Sequence, residues 1–373
     1  MTAQADTQGP DDRRILISVD AMGGDNGAEA VIAGMAKSAE KNPDIGYILH
    51  GPRAELEPLV ARAGISERIH AWHDVSGVVT MEDKPSHVVR HGAGTSMWSA
   101  IDSVRDGEAK AAVSCGNTGA LMAISTIRLR RLPGVNRPAI AILWPSLNPQ
   151  GFNVMLDVGA DVRADARDLL QFALMGASYA RNGMNVPRPR IGLLNVGTEE
   201  HKGRPELKEA QALIARYAEI GRFDFVGFVE GSDLPGKTAD VIVTDGFTGN
   251  VAIKTGEGTA NMITDLLRES FKYSILSRFA ALLALPALGR LKKRVDPRRV
   301  NGGVFLGLNG TVVKSHGKAD ATGVSAAIKL AFQLAQSGFA EKLAARVASV
   351  EELAQDGAEL PEKPAGEHNE GQA

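Results

Sequence analysis

Five glycine-rich loops contain most of the polar residues that could do chemistry in this chain. Each follows an apolar run typical of a buried strand, and each is dotted with Asp, Asn or Thr. In open α/β sheets, ligands bind at the carboxyl ends of strands, where glycine allows close approach and helix N-termini offer N–H groups to an anion. We therefore expect a phosphate or other oxyanion site, rather than tight turns alone, at DAMGGDNG (20–27), SCGNTGA (114–120), DVGAD (157–161), NVGTEE (195–200) and TDGFTGN (244–250).

The elements that must position these loops alternate along the chain. The run ILISVD (15–20) predicts a buried strand, and the glycine turn after it opens a helix with apolar residues at helical spacing. The run IGYILHG (45–51) returns as a second strand, and similar strand–helix units follow. Continuously apolar strands are typical of parallel sheets that are buried on both faces. We therefore predict an α/β fold with a layered, largely parallel sheet.

The chain divides into one ordered region and two tails. Residues 1–14 lack the apolar segment of a signal peptide and predict a disordered lead-in. Residues 15–350 contain no linker rich in Pro, Ser or Gly, so the two subdomains expected for this length are predicted to interleave in one domain. Residues 351–373 contain seven carboxylates and predict a disordered acidic tail.

Composition argues against several classes of function. The formal net charge of −2 over 373 residues argues against bulk nucleic-acid binding. The single cysteine, Cys115, excludes a disulfide framework and a multi-cysteine zinc site, and it fits a reducing cytoplasm. A G-x-G-x-x-G fingerprint follows none of the predicted strands, which argues against a Rossmann dehydrogenase.

Three further features have both a functional and a structural interpretation. GSDLPGKT (231–238) has the spacing of a P-loop, but a strand rather than a helix is predicted after it, so we interpret it as a chance match. His87 and His91 have metal-ligand spacing, but no nearby residue completes a site, and a solvated or anion-facing pair is favoured. Cys115 lies in a glycine loop beside a buried strand, and we interpret it as a small apolar residue rather than a nucleophile.

The segment 271–299 differs from the rest of the chain. Its apolar run FAALLALPAL is too short to span a bilayer, and eight Lys or Arg residues accompany a single acid, Asp296. Pro286 predicts a break or kink that would turn residues 265–299 into a protruding helical hairpin with an apolar tip. Such a tip suits an anionic membrane surface, and a dimer interface or ordinary core helices suit it equally.

Several motifs in one order resemble those of the bacterial acyl-ACP:phosphate acyltransferases of phospholipid synthesis. The resemblance covers about residues 15–335, and the chain departs from it at Asp161, where the family usually has asparagine, and at Cys115, where alanine is frequent. It implies a fold like that of the phosphotransacetylases and isocitrate-type dehydrogenases, a peripheral homodimer, and no metal or nucleotide cofactor. The motifs are SVDAMGGD, SCGNTGA, MLDVGAD, LLQFALMG, NVGTEEHKG, VTDGFTGNV and LGLNGTVVKSHG.

The resemblance and the required chemistry together assign roles to individual residues. Phosphate itself is the nucleophile, so the protein must hold it against a thioester carbonyl and stabilise the oxyanion that forms. We expect Asn250 and the amides of residues 246–249 to donate to phosphate or oxyanion, and Lys202 to supply positive charge beside them. Asp20 and Asp245 are expected to organise their loops. The remaining predicted phosphate or substrate contacts are Gly23, Gly24, Arg90, Asn117, Thr118, Gly246, Thr248 and Gly249.

The same resemblance implies the partners of the reaction. The donor is acylated acyl carrier protein, which is acidic and requires a basic dock, and the acceptor is inorganic phosphate. The apolar tip is expected to contact the membrane, where a glycerol-3-phosphate acyltransferase could use the product. The predicted membrane or carrier contacts are Leu282, Leu283, Arg290, Lys292, Lys293 and Arg294.

Three other functions remain as alternatives. A short-chain acyl-CoA:phosphate transferase would share the glycine loops but has little use for the cationic hairpin. A metal- and NAD-dependent hydroxyacid dehydrogenase would need clustered Asp ligands and a cofactor pocket. A membrane-surface adaptor without activity would leave the five polar loops without a purpose.

Overall fold

The structure is a computed structural model that describes residues 14–295 and 302–355, with the side chains of 291–295 and 349–355 left out of the description. The strands in these ranges are β1 (Ile15–Asp20), β2 (Ile45–Gly51), β3 (Ile69–Asp74), β4 (Ala111–Ser114), β5 (Ala139–Pro145), β6 (Phe152–Leu156), β7 (Arg190–Leu194), β8 (Asp224–Val229), β9 (Val241–Val243), β10 (Gly303–Leu306) and β11 (Thr311–Lys314). The helices are α1 (Gly27–Ala39), α2 (Arg53–Arg62), α3 (Pro85–His91), α4 (Ser96–Arg105), α5 (Thr118–Leu129), α6 (Ala166–Met184), α7 (Pro205–Gly221), α8 (Gly246–Lys272), α9 (Ile275–Val295), α10 (Ala321–Gln336) and α11 (Phe339–Gln355).

All eleven strands of the described region form one sheet, in the order β3-β2-β1-β4-β11-β10-β5-β6-β9-β7-β8. Pairing is parallel from β3 to β11 and from β6 to β8, and antiparallel where β10 meets β11 and β5 and where β5 meets β6. The predicted α/β class with a largely parallel sheet is confirmed.

The direction of the strands corrects one expectation. Because three antiparallel pairings separate the two parallel blocks, β6, β7 and β9 run opposite to β1, β4 and β11. If all strands were parallel, the five glycine loops would lie along one edge of the sheet, which is what the sequence suggested. The observed strand directions do not place them along one edge. They form two groups, one after β1 and β4 and the other after β6, β7 and β9.

Helices cover both faces of the sheet, which explains why its strands are continuously apolar. Within β4, Ala111 and Val113 pack into the core beneath α1, α6 and α10, whereas Ala112 packs with α4 and α5 on the other face. All seven residues of β2 are buried. The alternation of side chains along a strand thus fills two separate cores from one sheet.

Two long helices, α8 and α9, occupy the region of the predicted hairpin, but the break between them lies elsewhere than expected. The helices are interrupted at Tyr273 and Ser274, and α9 continues through Pro286. A proline removes a single backbone hydrogen bond, and α9 accommodates that loss without ending. Leu282 and Leu283 are exposed, as is most of α8, whose buried residues are Gly246 and Gly249. The side chains of Lys292, Lys293 and Arg294 lie outside the described residues.

Within the described ranges, no helix has the length and apolar character required to cross a membrane. Residues 1–13 of the predicted lead-in and 356–373 of the predicted acidic tail lie outside those ranges. Residues 351–355, which the sequence assigns to the disordered tail, instead form the end of α11. The division into interleaved subdomains stays a prediction.

Candidate active site

The loop between β9 and α8 is held by Asp245 at the N-cap of the helix. Its carboxylate accepts a hydrogen bond from the Thr248 amide at 2.7 Å and forms an ion pair with Arg204. Burial alone would raise the pKa of Asp245, but the bonds from Thr248 and Arg204 outweigh it and hold the pKa below its usual value. The carboxylate is fully engaged in shaping the loop, as an organising residue must be.

The first turn of α8 packs against the loop after β6. A Cβ added to Gly246 would collide with the main chain of Asp161, and one added to Gly249 with that of Asp157. Gly159 has a positive φ of 128°, and its Cβ position lies 2.8 Å from the side-chain nitrogen of Asn250. Glycine is therefore required at three places for the two loops to meet, and at Gly159 it leaves room for the Asn250 amide.

Asp157 organises the loop after β6, a role that the sequence did not predict. Its buried carboxylate accepts hydrogen bonds from five amides, those of Ile140, Val158, Gly159, Ala160 and Asp161. Burial raises the pKa of Asp157 to about 6, against the opposing effect of these bonds. An aspartate that ends an apolar strand in a glycine loop is the signal that could have identified it.

Lys202 lies on the loop after β7, the strand next to β9. Its ammonium pairs with Glu199 at 2.7 Å, and this hydrogen bond raises the pKa of Lys202, so the side chain stays charged. The buried side chain of Asn195 donates to the main-chain oxygen of Lys202 at 3.2 Å. Arg204, two residues further on, ties this loop to Asp245. The structure thereby joins the Lys202 and Asn250 loops at neighbouring strand ends.

Arg204 was missed by the sequence reasoning. Its partner is 41 residues away in sequence, and no local pattern marks the pair. The signal that could have found it is its position two residues after Lys202, within the same strand-end loop.

The second group of loops surrounds Asp20, which is buried at the end of β1. Its carboxylate accepts from Ser114 Oγ at 2.7 Å and from the Met22 amide at 3.3 Å. Burial raises the pKa of Asp20 despite these bonds. The Gly23–Gly24 turn lies directly above it, since a Cβ on Gly23 would reach the Asp20 carboxylate and the Gly116 amide.

Asn117 caps α5 and is also tied to the preceding segment. Its side chain accepts from the Ala120 amide at 3.1 Å and donates to the carbonyls of Met81 and Asp83 at 2.9 and 3.0 Å. The exposed Thr118 begins the helix. The side chain of Asn117 is therefore already hydrogen-bonded within the protein. The backbone amides at the start of α5 are the groups of this turn that can donate to a ligand.

The two groups of loops are linked by α5. Its N-terminus lies at the first group, and its Met122 and Thr126 line an open depression together with Arg137, Ala160 and Asp161 of the second. Arg137 pairs with Asp161, the position at which asparagine was expected, and lies 3.6 Å from Asp168. A substrate bound along this side of the molecule could contact both groups.

Four further features that the sequence singled out remain: Arg90, the histidine pair, Cys115 and the P-loop match. Arg90 is exposed on the last turn of α3 and makes no hydrogen bond or ion pair to either group among the described residues. His87 and His91 stack on each other at 4.6 Å, and the described part of the chain holds no group of three potential metal ligands. Burial raises the pKa of the Cys115 thiol to about 11, which disfavours the nucleophilic thiolate. Residues 231–233 form a short 3₁₀ turn that leads into β9, as expected for a chance P-loop match.

The fold is similar to those of two phosphotransacetylases of known structure. The TM-score is 0.58 with the enzyme from Streptococcus pyogenes, at 16% identity, and 0.54 with that from Staphylococcus aureus, at 14% identity. Each match covers 87% of this chain and 94% of the other. The predicted resemblance of architecture is confirmed, and at these identities it concerns the fold alone.

The sequence itself matches much closer relatives. Residues 15–342 match the family described as fatty acid synthesis protein. The chain is 73% identical over 356 residues to the phosphate acyltransferase of Ruegeria pomeroyi, which covers 95% of this chain and 96% of that protein. It is 72% identical over 334 residues to that of Paracoccus denitrificans, which covers 90% of each. The chain therefore belongs to the fatty acid synthesis protein family, in which these relatives are phosphate acyltransferases.

Proposed function

We propose that this chain transfers a fatty acyl group from acyl carrier protein to inorganic phosphate and releases acyl phosphate for phospholipid synthesis. The observation that carries the proposal is the joining of the Lys202 loop to the Asn250 loop through Arg204 and Asp245. A cation and an amide donor at neighbouring strand ends are what a reaction between phosphate and a thioester requires. The names of the close relatives support the same reaction.

In the proposed reaction an oxygen of phosphate attacks the thioester carbonyl carbon. The carbonyl oxygen gains negative charge in the tetrahedral intermediate, whose collapse expels the thiolate of the carrier's prosthetic arm, which then takes up a proton. Lys202 offsets the charge of the phosphate, and Asn250 donates to phosphate or oxyanion. The Gly23–Gly24 and Asn117–Thr118 turns hold phosphate through their backbone amides. No protein nucleophile takes part, which fits the buried thiol of Cys115.

The first turn of α8 contributes fewer backbone donors than the sequence suggested. Asp245 already accepts hydrogen bonds from the amides of Thr248 and Gly249, one through its side chain and one through its main-chain oxygen. The amides of Gly246 and Phe247 lie in the first turn of the helix, where no carbonyl within the helix can accept from them. These two amides therefore remain to face a substrate. The positive end of the helix dipole acts in the same direction.

The exposed hairpin of α8 and α9 is proposed to hold the protein at its site of action. Exposed apolar residues of this extent are typical of a protein or membrane interface. We assign the stripe Met262, Ile263, Leu266 and Leu267 of α8 to a second copy of the chain in a homodimer, because it lies on one face of the helix. Leu282, Leu283 and the turn before α9 would contact the surface of the cytoplasmic membrane, next to the cations that begin with Arg290.

Acyl carrier protein is proposed to dock on the same cations, because it is acidic. A membrane glycerol-3-phosphate acyltransferase is the class of enzyme that would consume acyl phosphate, since the product is a mixed anhydride that acylates an alcohol readily. The proposal predicts that rising salt weakens carrier docking.

The function is tested by incubating purified protein with inorganic phosphate and long-chain acyl carrier protein, and trapping acyl phosphate as the hydroxamate. Short-chain and long-chain acyl-CoA are run in parallel. Phosphate-dependent product from acyl carrier protein is expected. Product from short-chain acyl-CoA alone would move the chain to the rival transferase activity, and binding to vesicles without product from any donor would favour an adaptor.

A further inference from the structure

A lysine is buried where β1, β4 and β11 end side by side. Lys314, the last residue of β11, is 8% exposed, and its ammonium donates to the main-chain carbonyls of Cys115, at 3.3 Å, and of Ser315. These acceptors are carbonyls rather than carboxylates, so within the described part of the chain its positive charge is not neutralised by a direct ion pair. Lys314 is not among the site residues that the sequence predicts.

A chain of hydrogen bonds connects this lysine to the buried carboxylate of Asp20. The carbonyl of Cys115 belongs to the same peptide unit as the amide of Gly116, which donates to Ser114 Oγ at 3.0 Å. Ser114 Oγ in turn donates to Asp20 at 2.7 Å. One peptide group and one hydroxyl thus lie between a buried cation and a buried anion, and hydrogen bonds in such a chain strengthen one another.

The chain of hydrogen bonds fixes the loops that the proposed function gives to phosphate. The Gly24 Cβ position lies 2.8 Å from Cys115 Cβ and 3.0 Å from the Gly317 carbonyl. The same Gly317 carbonyl accepts from the Asp25 amide at 2.8 Å. The loops after β1, β4 and β11 therefore form one unit with Lys314 beneath it. Movement of the Cys115 carbonyl would displace the turns on either side.

Burying the ammonium of a lysine costs more free energy than its hydrogen bonds to two carbonyls require. Burial lowers the pKa of Lys314 to about 8, although the nearby Cys115, Asp20 and Asp25 act to raise it. An uncharged side chain of similar volume could fill the same space without this desolvation cost, and such replacements are often neutral or stabilising. The charge itself is therefore the feature that needs an explanation, and an anion held by the loops above it provides one.

We propose that Lys314 is a positioning residue for the acceptor phosphate, acting through the Cys115–Gly116 peptide on the Gly23–Gly24 and Asn117–Thr118 turns. This inference rests on the proposed function, in which those turns hold phosphate. Lys314 does not touch the reacting atoms. It orients backbone amides, and its charge favours an anion in front of them.

The test compares Lys314→Met with Lys318→Met, which removes the same charge from an exposed side chain of the next loop. Lys314→Met is expected to raise the KM for phosphate by about tenfold or more, since hydrogen bonds to charged groups contribute more than 1.4 kcal/mol. The KM for acyl carrier protein should stay within about twofold of the wild-type value, as should both constants of Lys318→Met. An unchanged KM for phosphate in folded Lys314→Met would overturn the proposal. Lys314 would then contribute only to the stability of the loops.

A second measurement is independent of turnover. Inorganic phosphate should raise the Tm of the wild-type protein and of Lys318→Met, and it should raise the Tm of Lys314→Met much less. Equal shifts in all three proteins would contradict the role of Lys314, even if the wild-type chain proved to make no acyl phosphate. The failure of the proposed function and the failure of this inference are thereby distinguishable.

Lys314→Arg addresses the charge directly and covers the case in which the methionine variant does not fold. Arginine stays protonated, so the ratio of wild-type to variant KM for phosphate should rise as the pH passes through about 8. The ratio cancels the titration of phosphate itself, and the variant retains Asp20, Asp25, Cys115 and His316 around the site. A ratio independent of pH would count against a charged Lys314 as the positioning group.

Discussion

Lys202 combines a full positive charge with freedom to act on a substrate. Its side chain is 43% exposed, and its ion pair with Glu199 is a surface pair of the kind that contributes little to stability. The charge can therefore be redirected to phosphate without unfolding the loop. The amide of Asn250, by contrast, lies against Gly159, where an added Cβ would displace it.

Replacing Lys202 with alanine should reduce turnover without affecting the fold. Removal of one fixed charge beside a developing oxyanion costs on the order of 3 kcal/mol, so Lys202→Ala should lower kcat by about a hundredfold with an unchanged Tm. Steady-state assays at saturating phosphate measure this effect. Lys208→Ala, which removes an exposed lysine from α7, is the matched control. A kcat for Lys202→Ala close to that of the control would remove Lys202 from the mechanism.

Single residues were predictable from sequence when their loop identified them. Lys202, Asp245 and Asn250 lie in polar glycine loops after apolar strands, and the structure places them at neighbouring strand ends. Lys314 ends the apolar strand TVVK, where a lysine usually extends its charged head to solvent. Its burial depends on loops from β1 and β4 closing over it, which no local pattern reveals.

At the scale of elements, the site depends on how closely the loops after β6 and β9 approach each other. Gly159→Ala would place a methyl group against the Asn250 side chain, so it should lower kcat by about tenfold or more and resemble Asn250→Ala. Gly151→Ala is the matched control, because Gly151 also has a positive φ, of 87°, but has open space around its Cβ position. Both variants should lose about 1–2 kcal/mol of unfolding free energy from backbone strain.

The comparison of the two glycine variants separates strain from displacement of the amide. Kinetic assays and thermal unfolding are measured on both proteins. Equal kcat values for Gly159→Ala and Gly151→Ala would show that the position of Asn250 does not matter for turnover.

The proposed membrane contact of the hairpin can be tested by introducing negative charge at its exposed leucines. Leu282→Glu combined with Leu283→Glu should weaken binding to anionic vesicles by at least about a hundredfold, because each buried leucine contributes about 1.5–3 kcal/mol. Turnover with acyl carrier protein in solution should be unaffected. Thr255→Glu with Thr259→Glu adds the same charge to exposed positions of α8 and should leave vesicle binding intact. Unchanged vesicle sedimentation of the leucine variant would contradict the proposed membrane contact.

The sequence predicted the existence of the hairpin better than its shape. Apolar composition and clustered cations indicate an exposed helical pair, and Pro286 predicts its breaking point. The break between the helices occurs instead at Tyr273 and Ser274. The position of a turn between exposed helices depends on the packing of α8 against α9, which composition does not determine.

On the scale of the whole molecule, the sheet consists of two parallel blocks of opposite direction. The apolar runs predicted strands, but a buried strand has the same pattern in either direction, so the reversal at β5 and β10 was not predictable. Its consequence is that the glycine loops form two groups, which α5 connects. The interior also contains the buried His50 of β2, which bonds residues of β1 and α4 and stacks on the partly exposed His73 of β3.

That pair predicts how stability depends on pH. His50 is fully buried, bonds Ser18 and Ser99 at 2.8 and 2.9 Å, and stacks on His73. Burial, with a smaller effect of His73, lowers the pKa of His50 to about 3 from 6.5. The unfolded chain therefore binds more protons between those values, and this group makes the unfolding free energy fall as the pH is lowered through that window, by up to about 1.4 kcal/mol per unit. Denaturant titrations at several pH values should show that the unfolding free energy of His50→Gln falls less steeply with decreasing pH than that of the wild type. Equal slopes for the two proteins would contradict the role of His50.

The central claim is that phosphate attacks the acyl carrier thioester directly in this site. It is tested most directly by mixing stoichiometric amounts of the protein and radiolabelled long-chain acyl carrier protein, with and without phosphate, and quenching rapidly. We predict that the label stays on the carrier without phosphate and moves to acyl phosphate when phosphate is present, with none on the protein. Label bound covalently to the protein, or no phosphate-dependent transfer, would contradict the account.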